Sequence, residues 1–129
     1  MYETCYHLYK LLKKVIIFYP VRKHELLSPK IYNPENKNKS KDAFLLESEK
    51  TVAKWVYINN ESAGATTNTL SNSKGIYFAI RKENHVYGVV GIDMSFNENN
   101  EISLSEKSLL LAMLNEIALA FDSIENWIF

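Results

Sequence analysis

Residues 76–94 read IYFAIRKENHVYGVVGIDM, two apolar runs either side of a short polar break. Ile76-Tyr77-Phe78-Ala79-Ile80 is β-branched and aromatic, the composition that suits a pleated surface. Lys82-Glu83-Asn84-His85 reads as a turn, and Val86 to Met94 as the next strand. Strands joined by so short a turn pair antiparallel. The second strand is apolar on both faces, so the hairpin belongs inside a sheet covered above and below. Gly88 and Gly91 weaken a strand unless something approaches the backbone closely, and a helix crossing the sheet is the expected cause.

On the C-terminal side, Ser103-Leu104-Ser105-Glu106 has the form of a capping box, opening a helix that runs to about Asn126. Leu110, Leu114, Ile117, Phe121 and Ile124 step by four and three alternately, an a/d pattern. These five are the candidate relay or dimer seam, with packing on the sheet as the competing use. Before the hairpin, Glu61 to Lys74 is small and polar, able to turn the chain by bonding its own backbone. A helix is expected from Ser48, the N-cap, to Asn59–Asn60, with Glu49 in the first turn and Val52, Ala53, Val56 and Tyr57 on one side. Asn33 to Lys41 reads as a loop. Val15 to Tyr19 reads as a buried strand stopping at Pro20. A weaker strand spans Glu25 to Tyr32, interrupted at Pro29. Residues 2 to about 14 form a short amphipathic helix. The order helix, strands, helix, hairpin, helix gives an α+β domain with a mostly antiparallel sheet.

The chain has 129 residues, enough for one core and too few for two, so 1–129 is read as one domain. Fifteen basic residues balance fifteen acidic ones, which leaves no general field to attract nucleic acid or anionic lipid. Arg22, Lys23, Lys30, Lys37, Lys39 and Lys41 cluster, but in an asparagine-rich stretch that reads as a solvated loop. No apolar run approaches the roughly 20 residues that span a bilayer, and no signal peptide is visible. The expected setting is cytoplasmic, without direct membrane insertion.

Signals for catalysis are weak. His7, His24 and His85 have no metal-ligand spacing between them. Cys5 is the sole cysteine, and its first reading is a small buried apolar side chain. No phosphate-binding or dinucleotide glycine pattern occurs among four glycines. No catalytic residue, metal or cofactor is therefore expected. Asp122 and Glu125 read as a solvated helix face. The most polar stretch beside the hairpin is Thr66-Thr67-Asn68-Thr69, which either lines a pocket or merely turns the chain. The candidate ligand pocket is Trp55, Asn60, Thr67, Asn68, Thr69 and Tyr77.

Several motifs carry a family resemblance. Glu49-Lys50-Thr51-Val52-Ala53-Lys54-Trp55-Val56, Ser62-Ala63-Gly64 and Thr67-Asn68-Thr69-Leu70 resemble, in order, an acidic-start helix with A-x-W, then P-A-G, then T-D-T-L. Tyr87 to Gly91 and Glu116 to Ala120 resemble the hairpin and closing helix that follow. This is the pattern of the GAF-like regulatory domain of Kdp-type potassium-responsive sensor histidine kinases. Ser62 stands where the family has proline, and Asn68 where it has aspartate, so a role needing an anion at that loop is lost.

The resemblance implies a GAF-like fold whose first helix lies outside this chain. It also implies a cytoplasmic, non-catalytic relay between a membrane segment and a kinase core, neighbouring domains as partners, and potassium limitation or turgor as input. A homodimer through the last helix and an unidentified small molecule are further expected partners. The alternative is a stand-alone small-molecule-binding GAF domain. Methionine sulfoxide reduction, a chemistry of some GAF-fold proteins, needs a resolving cysteine that Cys5 lacks.

Overall fold

The computed structural model describes residues 2–34, 44–65, 67–94 and 102–128. Most of the expected loop at Asn33–Lys41, and Thr66, lie outside the described residues. The elements are α1 (Tyr2–Leu12), β1 (Ile16–Arg22), β2 (Glu25–Leu26), β3 (Lys30–Tyr32), α2 (Glu47–Asn59), β4 (Ala63–Gly64), β5 (Gly75–Lys82), β6 (His85–Asp93) and α3 (Leu104–Ile128). The strands form one antiparallel sheet in the order β2-β1-β6-β5-β4, with β3 also on β1. This is the expected α+β architecture, and the 76–94 hairpin lies at its centre.

Alternation along the strands divides the core in two. Ile16, Phe18, Phe78, Val90 and Ile92 face α1 and α3, where they meet Leu8, Leu12, Leu110, Leu114 and Ala118. Ile17, Tyr19, Tyr77 and Val89 face α2, where they meet Val52, Ala53 and Val56. The result is a helix–sheet–helix sandwich.

β1 continues through Pro20 to Arg22, two residues past the expected stop. A strand residue points its N–H and C=O to the same side. The Pro20 carbonyl accepts from Leu27 N at 2.8 Å, so its missing donor falls in the break between β2 and β3. The pairing of β1 with β6 on the other side loses no bond, and the proline is tolerated.

The glycines of β6 are covered by rings rather than by a helix. A Cβ on Gly91 would lie 2.4 Å from Cε1 of Tyr77, its partner across the ladder. One on Gly88 would lie 2.9 Å from Cε1 of Phe18. Between Ile80↔Gly88 and Arg81↔Val86 the register slips, leaving Tyr87 as the extra residue of a bulge. Such a bulge re-aims side chains. Tyr87 consequently joins Val90 and Ile92 on the α3 side instead of facing α2.

The helix ends follow different rules. α3 has its capping box: Glu106 N donates to Ser103 Oγ at 3.2 Å, and Ser103 N donates to Glu106 Oε1 at 3.1 Å. Hydrogen bonds from the Ser103 backbone, and then its hydroxyl, hold the Glu106 carboxyl below its ordinary pKa. α2 begins at Glu47, with Leu46 as an N-cap that makes no side-chain bond, so Ser48 is not the cap. Fully buried Phe44 anchors the entry instead, and the earlier start places Glu49 at the third helical position, facing inward. The C-terminal end is as expected, with Asn60 in the left-handed conformation at φ 57°.

The expected seam on α3 is mostly used by the core. Leu110 and Leu114 are buried on the sheet, Ile117 and Phe121 pack against the same cluster, and Ile124 alone of the five is well exposed at 56%. The sheet needs this face because the opposite one carries exposed Ser108 and Asn115.

Gly91→Ala should lower stability by about 1–3 kcal/mol, the usual range for overpacking a filled core. Thermal unfolding checks this, and an unchanged midpoint would mean that the Tyr77 ring yields freely.

Candidate functional site

Glu49 is a carboxylate only 4% exposed, on the apolar side of α2. Oε1 accepts from Ser73 Oγ at 2.9 Å, Gly75 N at 3.1 Å and Tyr77 Oη at 2.9 Å. Oε2 accepts from Lys74 N at 3.0 Å. All four donors are neutral, two of them backbone amides. A buried carboxylate is tolerated when its lone pairs are filled this way, and the α2 N-terminus adds a favourable dipole. Burial, and then the charge of Glu49, push the Tyr77 hydroxyl far above its ordinary pKa, so it remains a donor. Burial and the same charge raise Tyr19 to about 12. The Tyr19 ring meets Tyr77 edge-on at 6.2 Å, and its hydroxyl has no hydrogen-bond partner among the described residues. This cluster ties α2 to the 73–75 turn and β5.

The six candidate pocket residues are not brought to one place. Tyr77 is fully buried and committed to Glu49. Thr67 Oγ1 donates to the carbonyls of Gly64 and Thr69, and accepts from Thr69 N at 3.1 Å, so Thr67 and Thr69 together close their own loop. Asn68 is exposed on that loop. Trp55 packs half-buried against the α2-side core. Asn60 sits at the far end of α2, where its Nδ2 donates to the Glu83 carbonyl at 2.9 Å and its own carbonyl accepts from Arg81. Asn60 thereby pins α2 to the β5–β6 turn.

The α3 side holds a second polar cluster. Tyr87 Oη donates to Asp122 Oδ1 at 2.8 Å, and Lys82 Nζ meets Asp122 Oδ2 at 2.6 Å. The Tyr87 and Phe121 rings lie nearly parallel, 11° apart, with centroids at 5.8 Å. Asp122 is thus not simply a solvated residue: it latches α3 to the hairpin. Lys82, then Tyr87, hold its carboxyl below the ordinary value.

Beside this latch lies a cleft of about 530 Å³. Lys23 and His24 of the β1–β2 turn, Tyr57 and Ile58 of α2, Asn84 to Tyr87, and Phe121 line it together with Val21. None of the six candidate pocket residues is in that lining. Cys5 lies elsewhere, on the buried face of α1 with its thiol pushed up by burial, an unreactive environment. Among the described residues no three His, Cys, Asp or Glu side chains are grouped to hold a metal ion, and no helix is long and apolar enough to cross a membrane.

No family model matches the chain. Over 110 residues, 85% of its length, it is 24% identical to the sensor protein KdpD of Clostridium acetobutylicum. It spans only 12% of that relative. Among solved structures it is similar to the GAF domain of the potassium sensor histidine kinase KdpD of Escherichia coli, with a TM-score of 0.71 at 15% identity. That likeness covers 97% of this chain and 80% of the other, and it establishes the GAF-like fold. The expected resemblance is therefore met in both sequence and fold.

Two outcomes follow from the polar clusters. Tyr77→Phe should lower stability by about 1.5–3 kcal/mol, the range for a hydrogen bond to a charged group, and Glu49→Ala by more, since it also takes the acceptor from the Lys74 amide and leaves Ser73 and Gly75 only each other. Chemical denaturation measures both; equal effects would mean that the other donors are satisfied without the carboxylate. The Asp122 carboxyl titrates lower in the folded chain than the ordinary 3.8. Its contribution is complete above that value and is lost as pH falls through the depressed one. A carboxyl NMR titration should place Asp122 below the ordinary aspartate value of 3.8.

Proposed function

We propose that the chain is the non-catalytic GAF-like regulatory domain of a KdpD-type sensor histidine kinase, passing a potassium- or turgor-related signal to the neighbouring domains. The observation that carries this reading is α3. It is a 25-residue helix, about 37 Å long at the usual rise, anchored to the sheet in its first half and latched by Tyr87, Phe121 and Asp122 in its second. A change in the sheet or the hairpin would reach α3 through those contacts. The similarity to KdpD over 110 residues supports the same assignment.

On this reading the parent is membrane-anchored with this domain on the cytoplasmic side, and the domain needs no cofactor. Its partners are the flanking domains and a second copy of the parent. Leu109, Leu111 and Leu119, exposed on α3 beside Ile124, are apolar surface available to either. The candidate pocket of Trp55, Asn60, Thr67, Asn68, Thr69 and Tyr77 would act in a ligand-dependent version only if the 67–69 loop opened, since the Thr67 hydroxyl is engaged within the loop.

The reading frame around the chain tests the assignment. Transmembrane segments before it, with a phosphoacceptor histidine helix and ATP-binding boxes after it, are expected. A frame lacking both would overturn it. In such a parent, Tyr87→Ala should leave ATP-dependent autophosphorylation intact and alter its dependence on external potassium.

A further inference from the structure

The cleft beside the latch carries a ligand chemistry of its own. Its ionisable lining includes Lys23, His24 and His85 and no carboxylate. Glu83 and Asp122 lie just outside, in the neighbouring hollow with Lys82, and Asp122 is engaged by Lys82 and Tyr87. The walls are rings and aliphatic surface: Tyr57, Tyr87 and Phe121, with Ile58 left 67% exposed at the rim. A volume of about 530 Å³ falls within the range of small-molecule sites.

The turn that presents Lys23 and His24 is informative. Both residues have positive φ, 52° and 63°, in a two-residue connection between Arg22 and Glu25. Such turns favour Asn-Gly, because left-handed backbone is strained for residues with a large side chain. A strained turn that carries two cation-forming side chains at a cleft is a place where stability is given up for function. Two histidines without a carboxylate make a poor cation site, whereas Lys23 with two imidazoles suits a negative group.

We infer that this cleft binds a small aromatic anion: a flat ring between Tyr57, Ile58 and Tyr87, with its phosphate or carboxylate on Lys23 and His24. The occupant would touch Tyr87 and Phe121, which hold α3, so binding would bias the helix. Binding itself does not depend on the kinase assignment; only its consequence for signalling rests on that reading.

Phenyl phosphate, inorganic phosphate and phenol, each titrated into the isotopically labelled 129-residue chain, separate ring from charge. Phenyl phosphate should give saturable amide shifts at Lys23, His24, Asn84, His85 and Tyr87, extending to Phe121 and Asp122. Each half-ligand should bind about tenfold or more weakly, since each forfeits a charge-assisted or ring contact. The double variant Lys23→Asn/His24→Gly relaxes the turn. It should unfold at a higher temperature yet bind phenyl phosphate about tenfold or more weakly. No saturable shifts, shifts centred elsewhere, or undiminished binding by the double variant would overturn the site. Phosphate binding as tightly as phenyl phosphate would overturn the ring's role, and phenol doing so would overturn the anion's. Any of these leaves the kinase assignment to the reading-frame test.

Discussion

The buried carboxylate of Glu49 organises the α2 half of this domain. Four donors converge on Glu49, and three come from residues 73–75, where an irregular turn enters β5 at Gly75. An unpaired carboxylate at this depth would be too costly to keep charged. The turn therefore has little choice of conformation once α2 is docked. Tyr77, the fourth donor, lies flat over Gly91, so the same constraint explains a glycine in the most buried strand. Gly64 belongs to the same assembly: at φ 106° its missing Cβ would lie 2.2 Å from the Gly75 carbonyl oxygen, letting β4 close on β5.

What the sequence made legible was local. The hairpin at 76–94, the capping box at Ser103–Glu106 and the end of α2 at Asn60 each depend on residues a few positions apart, and each was readable. The role of Glu49 was not, because its partners are 24 to 28 residues away and two of them are backbone amides without a sequence signature. Pro20 misled for a related reason. Whether a proline ends a strand depends on which edge its missing N–H faces, and that is a matter of β2 and β3 rather than of β1. The bulge at Tyr87 was equally hidden, since a run with no alternation does not show which face a residue takes. Of the candidate site, the cleft was not legible because its basic side chains, Lys23 and His24 in one turn and His85 at the start of β6, lie more than 60 residues apart in sequence.

The two faces of the sheet have different characters. On the α2 side the Glu49 carboxylate and the Tyr77 hydroxyl are buried and committed to each other, and the hydroxyls of Tyr77 and Tyr19 do not ionise near neutrality. On the α3 side the polar contacts lie at the surface, where Lys82 is 41% exposed and its ion pair with Asp122 contributes little by itself. The Asn60 contacts with the β5–β6 turn are exposed as well. So the hairpin tip is where α2, β5, β6 and α3 all meet through contacts that are individually weak.

This asymmetry limits how α3 can respond on the proposed reading. Rolling the whole helix would uncover Leu110 and Leu114, each worth about 1.5–3 kcal/mol of burial. Conformers that respond to signals differ by only a few kcal/mol in total. A rotation that empties the core is therefore a poor switch. Beyond Ala118 the described contacts are the packing and stacking of Phe121, a hydroxyl bond and an exposed ion pair. Lifting that half sacrifices far less, and leaves the sheet intact. Movement confined to the second half of α3, hinging near Ala118, is the change that this packing permits at low cost.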